Sequence, residues 1–110
     1  MAQGTSTPRF TTTEAMARLQ QIVHAKANNM HAMYSSVLGG IVTDPALMVL
    51  PFDDHMVHRG HAVFDTSMIV DGNLYQLDAH LERFLRSAEM ARLQLPYPPQ
   101  QLRQIIIGTP

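Results

Sequence analysis

The sequence contains no cysteine in 110 residues, which removes disulfides, thiolate metal sites and cysteine nucleophiles together. Neither sign of charge is in excess. Eight Lys and Arg face nine Asp and Glu, a formal net charge of −1. No stretch is basic enough to track a phosphate backbone, which excludes nucleic acid as a partner. Long apolar runs are missing too. Ala46 to Leu50 is typical of the longest, far too short to span a bilayer, so no membrane partner is expected. The opening MAQGTSTPRFTTTE has the Ser and Thr of a transit peptide but a single Arg and no amphipathic basic face. Met1 to Thr12 therefore reads as a flexible tail. What remains, 45% hydrophobic and 15% charged, describes a soluble globular chain of one domain. It is long enough to bury a core without metal or disulfide help.

Taken in order, the chain alternates helices and hairpins. A helix is expected from Thr13, as its cap, to about Asn28, with Ala15, Leu19, Ile22, Val23 and the stem of Lys26 on one side. Met33 to Val37, Gly39-Gly40 and Ile41 to Thr43 read as a hairpin whose glycines supply the unusual φ values. Asp44-Pro45 turns the chain into a short apolar strand, Leu47 to Leu50, which Pro51 ends. Phe52 to Gly60 is a polar connector with room for one helical turn. After the main helix, Pro96-Tyr97-Pro98-Pro99 breaks the chain. Pro99 suits the first position of a last helix, Gln100 to Ile107, where a missing N–H costs nothing.

The chain is organised around residues 58–92, HRGHAVFDTSMIVDGNLYQLDAHLERFLRSAEMAR. Ala62 to Val70 reads as a strand and Asp71-Gly72 as the turn of a second hairpin, because both central residues of a type I′ turn need positive φ. Leu74-Tyr75-Gln76 is the return strand. Asp78 then caps a helix with a buried stripe of Leu77, Leu81, Phe84, Leu85, Ala88 and Ala91. His80, Arg83 and Ser87 share the flank of that stripe, and Arg86 pairs with Glu82 four residues before it. Antiparallel hairpins with helices gathered to one side make this an α+β, two-layer domain with a hairpin-built sheet. His55, His58, Arg59 and His61 cluster on the connector, but no carboxylate separates the two histidines three apart and no HExxH occurs. No metal site is expected.

HRGHAVFD, a DG turn and LDAHLERFLRSA at this spacing resemble the amino-terminal domain of the class IV (fold-type IV) pyridoxal-phosphate aminotransferases. That group includes D-amino acid and branched-chain aminotransferases and aminodeoxychorismate lyases, and the plant-type D-amino acid aminotransferase and lyase pattern fits best. The resemblance extends from Met33 to about Pro96. It implies pyridoxal phosphate as cofactor, amino acid and 2-oxo acid substrates, and a homodimer when full length, in cytoplasm or plastid. It places Arg83 on the cofactor phosphate, a role that suits a permanently charged planar fork of donors. His80 stands at the matching histidine, either donating to the phosphate or holding the helix start. Phe64, with Thr66 on the same strand face, and Arg59 fall where the family borders its substrate pocket.

Such an enzyme also needs a lysine to carry the cofactor and move a proton on it. The only lysine is Lys26, outside the family-like stretch, and the family's own lysine belongs to the following domain. Residues 13–110 thus read as an amino-terminal domain cut before the lysine-bearing one, with no catalytic residue of its own and no activity alone. A fragment, a truncated product and half of a split protein all fit that reading. The alternatives are a lyase or branched-chain enzyme of the same fold, or a non-catalytic remnant kept as an interaction or structural domain.

Overall fold

The computed structural model describes residues 6–26 and 29–109, and in it helix α1 runs Thr12–His24. The helix begins one residue before the expected cap. Thr11, not Thr13, closes a capping box in which its hydroxyl accepts from the Glu14 N–H and the Glu14 carboxylate accepts from the Thr11 N–H. The Thr11–Glu14 spacing is that of the S/T-x-x-E signature. The helix also stops early, at His24. The expected end at Asn28 lies outside the described residues, as do Met1 to Thr5 of the expected tail, whose last two residues instead cap and open α1.

Strands β1 (Met33–Ser35) and β2 (Gly40–Val42) form the first hairpin, with Tyr34 opposite Ile41. Gly39, at φ 73°, makes the turn, a value a side chain would strain. The expected strand at Leu47 to Leu50 is absent. A 3-10 helix occupies Pro45–Leu47 instead, because Asp44 caps it by accepting from the Ala46 N–H and Pro45 presets its first φ. Asp44 also ties this turn to α1, accepting from Gln20 and lying 2.6 Å from His24 Nε2. Those bonds, His24 first, hold the Asp44 carboxyl below its ordinary range.

The connector contains the expected single turn, α2 (His55–Arg59), capped by Asp54 and ended by Gly60 in the left-handed region. Beyond it the strand expected over Ala62 to Val70 shortens to β3 (Ile69–Val70), paired with β4 (Asn73–Leu74). Asp71 and Gly72 take φ 52° and 78°, as a type I′ turn demands. Residues 62–68 stay extended, and alternate residues turn inward: Val63, Asp65 and Ser67 are half-buried, Ala62, Phe64, Thr66 and Met68 exposed. They lack a ladder because no described strand lies beside them. A strand exists only as half of a pair.

Helix α3 (Leu77–Met90) carries the stripe foreseen for it, with Leu77, Leu81 and Ala88 buried and Phe84, Leu85 and Ala91 half-buried. Its cap is Gln76, in the left-handed region at φ 51° and without a side-chain cap bond. Asp78 sits inside the first turn, where its carboxylate accepts from Arg103 of α4 (Pro99–Gly108) at 2.8 Å. The cap role expected of Asp78 fails because the helix already starts at Leu77, and the Asp78 carboxylate turns to Arg103 instead. Glu82 and Arg86 are exposed and form no ion pair among the described residues. Pro99 opens α4 at its first position, as expected. Where α4 begins, Tyr97 meets Tyr34 of β1, hydroxyl to hydroxyl at 2.8 Å, and this bond raises the Tyr34 phenol above its ordinary range.

The class is α+β, with the two hairpins standing as separate two-stranded sheets. Among the described residues only Ala46, Leu77, Leu81 and Ala88 form the buried apolar core. The radius of gyration is 18.0 Å, where a compact domain of this length has about 13 Å. No helix among the described residues is long and apolar enough to cross a membrane.

Candidate functional site

Among the described residues, three interacting charged and titratable groups meet where the segment 62–68 crosses the first turns of α3. Strand-like alternation turns Asp65 inward while helical spacing puts His80 and Arg83 on one flank of α3. Arg83 donates twice to the Asp65 carboxylate, Nε to Oδ2 at 2.6 Å and Nη2 to Oδ1 at 2.8 Å. His80 Nδ1 lies 2.8 Å from the same Oδ1 and 3.0 Å from Arg83 Nη2. The Asp65 side chain is 11% exposed, the Arg83 side chain 59%. The acid is thus enclosed by its partners while the guanidinium reaches water.

Two donors from Arg83, then the imidazole, hold the Asp65 carboxyl far below the usual carboxylate range. The same pairing raises Arg83 above its ordinary value. A depressed carboxyl stabilises the fold above its unfolded value and ceases to do so as pH falls towards the folded one. The docking of residues 62–68 on α3 is therefore expected to be complete above about pH 4 and to loosen only in stronger acid. Backbone chemical shifts of Asp65 to Ser67 followed from pH 5 downwards check this. Shifts that stay constant through the whole acid range would mean that the Asp65 charge does not anchor the segment.

Beside this triad a cleft of about 440 Å³ opens between the hairpin, α3 and α4. Asp65 and His80 stand on its polar side, and Leu74, Leu81, Phe84 and Ile106 are among its apolar wall. Thr66 borders it. Phe64, on the opposite face of the segment and 84% exposed, does not. Arg59 ends α2, exposed and outside the cleft lining. Of the residues singled out in the sequence, the fold brings His80 and Arg83 together and leaves Phe64 and Arg59 apart from them.

The residue the sequence reading missed is Asp65. It stands in the quoted motif HRGHAVFD, and its signal was available: an acid at an inward position of an alternating segment, facing a helix with H-x-x-R on one flank. The connector histidines have structural partners. His61 Nε2 lies 2.8 Å from the Ala91 carbonyl, where α3 ends, and the His55 and His61 rings are 6.1 Å apart. No group of three or more metal-ligating side chains exists among the described residues.

Residues 62–108 match the family described as amino-transferase class IV. The match covers less than half of the chain, from the extended segment through α4, and class IV aminotransferases in general depend on pyridoxal phosphate. Among curated relatives, the chain is 63% identical over 78 residues to the chloroplastic D-amino-acid transaminase of Arabidopsis thaliana, covering 71% of this chain and 21% of that protein. It is 33% identical over 72 residues to the bifunctional aminodeoxychorismate lyase / D-amino acid transaminase of Mycobacterium tuberculosis, covering 66% of this chain and 25% of that protein. The chain therefore spans about a fifth to a quarter of the length of these relatives. No solved structure matches it.

Proposed function

We propose that this chain is the amino-terminal part of a pyridoxal-phosphate-dependent class IV transaminase acting on D-amino acids and 2-oxo acids, and that Arg83 contributes a contact to the cofactor phosphate. The observation that carries this reading is the Arg83–Asp65–His80 cluster, set on the matched segment beside a cleft. After its two bonds to Asp65, Arg83 keeps Nη1 and one Nη2 hydrogen for an anion. These donors fit a phosphate ester. Its long side chain is fixed by Asp65, so little further rotamer freedom is lost when the anion arrives.

When bound, pyridoxal phosphate supplies the electron sink that lets an amino group move between carbon skeletons. This chain's own residues bind and orient. Arg83 holds charge opposite the phosphate, Asp65 aims Arg83, and His80 braces Asp65. Phe64, Thr66 and Arg59 are exposed and free to face substrate or further chain. The lysine that such chemistry requires is not in this cluster. Lys26 follows α1, the helix that packs on the Pro45–Leu47 turn. We therefore place the reaction in a longer or paired polypeptide, homodimeric, and place it in the plastid on the strength of the chloroplastic relative.

The test is an assay of the 110-residue chain and of a complete polypeptide containing it, each with pyridoxal phosphate, D-alanine and 2-oxoglutarate. Pyruvate and glutamate formed by the complete polypeptide alone is the expected result. A complete polypeptide that catalyses neither transamination nor an amine-releasing lyase reaction would sink the proposal.

A further inference from the structure

Residues 62–67 make no backbone hydrogen bond among the described residues, so the segment that delivers Asp65 has no ladder to fix its register. Side chains fix it instead. Its far end is continuous with β3. There the Ser67 hydroxyl donates to the Tyr75 carbonyl at 2.9 Å, and the Tyr75 N–H donates to the Met68 carbonyl at 2.7 Å. Its near end is held by His61. Gly60 closes α2 at φ 64°, and the His61 N–H donates back to the His55 carbonyl at 3.2 Å, so the ring leaves a fixed backbone. Its Nε2 lies 2.8 Å from the Ala91 carbonyl, just past α3. A carbonyl only accepts, so the ring nitrogen donates.

The contacts fall in order: His61 on Ala91, Asp65 on Arg83 and His80, Ser67 on Tyr75. The segment therefore runs back along α3 from its end towards its start, and the lengths agree. From His61 to Ser67 an extended chain covers about 20 Å, and from Ala91 back to Leu77 a helix covers about 21 Å. Asp65, about 13 Å from His61, falls about nine helical residues back from Ala91, between His80 and Arg83. A slip that keeps the inward face inward moves the chain by at least two residues. That is about 7 Å, more than one helical turn, and it would set Val63 or Ser67 where Asp65 meets the guanidinium.

We propose that His61 is a positioning residue of the Arg83 site: its bond to the Ala91 carbonyl sets the segment's register on α3 and so brings Asp65 to the Arg83 fork. This deepens the reading of Arg83 as a phosphate contact and rests on it. The Asp65–Arg83 pair does not define the register by itself, because the Arg83 side chain is long, 59% exposed and rich in rotamers with which to follow a displaced acid. The His61 ring is short and meets a backbone oxygen, which does not move with a rotamer.

Proton–nitrogen spectra of the 110-residue chain read the Arg83 Nε–H that bonds Asp65, with α3 amide shifts as the control for folding. His61→Leu removes the donor and is expected to move that signal towards the position of a free arginine. His61→Gln places an amide nitrogen at similar reach and is expected to restore it. In a complete polypeptide, His61→Leu is expected to weaken retention of pyridoxal phosphate about two- to tenfold, the worth of one hydrogen bond. On an Asp65→Asn background the same change is expected to add nothing, since it acts through Asp65. An Arg83 signal unmoved in His61→Leu, or full additivity with Asp65→Asn, would overturn the inference. So would a wild type without ring-proton cross-peaks between His61 and Ala91, a reading that needs no variant to fold. A moved Arg83 signal with the cofactor retained in full, by Arg83→Gln as well, would overturn the phosphate contact and leave the register in place.

Discussion

Replacing Leu81 with alanine is expected to lower the unfolding free energy by about 3 kcal/mol, within the ~2–5 kcal/mol range of buried leucine truncations. Leu81 is 8% exposed and lies where α3 meets the hairpin and α4 around the cleft. Its loss enlarges an existing gap instead of letting neighbours collapse. Small domains hold only ~5–15 kcal/mol in total, and the core among the described residues consists of four buried apolar side chains. The variant should therefore be largely unfolded at moderate urea, with α3 the first element lost. Leu81→Met, which keeps the volume, should cost less than about 1.5 kcal/mol. Phe64→Ala, at a position 84% exposed, should leave the transition in place. Urea melts followed by circular dichroism decide the matter. A Leu81→Ala midpoint equal to that of the wild type would mean that α3 does not depend on this core.

The stripe that makes Leu81 central was legible because helical periodicity and burial report the same thing. Leu77, Leu81 and Ala88 can be inside together only on a helix. The Asp71-Gly72 turn was legible for a similar reason, since few sequences tolerate two successive positive φ values. Elements that depend on a distant partner were harder to read. Ala62 to Val70 has the composition of a strand, yet only Ile69–Val70 pairs, because composition does not report whether a neighbouring strand is there. Asp78 has the chemistry of a cap, but Arg103, twenty-five residues away, takes its carboxylate. Leu47 to Leu50 looked extended until Asp44 and Pro45 closed a 3-10 turn over its start. Only at Asp78 did local propensity lose to a bond made elsewhere; the other two turned on a missing neighbour and on a cap just upstream.

The site shows the same division. Arg83 and His80 could be named because H-x-x-R sets two groups on one helix flank and because the surrounding motif resembles a family. Asp65 could not be ranked above the other acids from spacing alone. Its importance arises where the extended segment crosses α3, a contact eighteen residues long in sequence. The geometry also changes what His80 can do. In the sequence its two options, donating to an anion or bracing the helix, looked equal. Its Nδ1 is turned to Asp65, the acid that holds Arg83, and not to the helix start.

Arg83→Gln is expected to weaken retention of pyridoxal phosphate by a complete polypeptide about ten- to a hundredfold, the range of one charge-assisted hydrogen-bond set. Glutamine keeps a donor but no charge and no fork. Arg83→Lys separates the two properties, since an ammonium restores charge without the planar pair of donors. If the fork matters, lysine recovers only part of the loss. In either variant Asp65 loses the Arg83 fork that lowers it most, so its carboxyl rises towards the ordinary range, and docking of residues 62–68 is expected to weaken at every pH above about 4. The two readouts are independent. Cofactor release, followed by absorbance during dialysis, reports the anion contact, while the backbone chemical shifts of Asp65 to Ser67 report the Asp65 anchor. Loosened docking with undiminished cofactor retention would make Arg83 a structural clamp and move the phosphate contact elsewhere. Weakened retention with docking lost in parallel at every pH would tie both roles to one guanidinium, which is what its shared position between Asp65 and solvent requires.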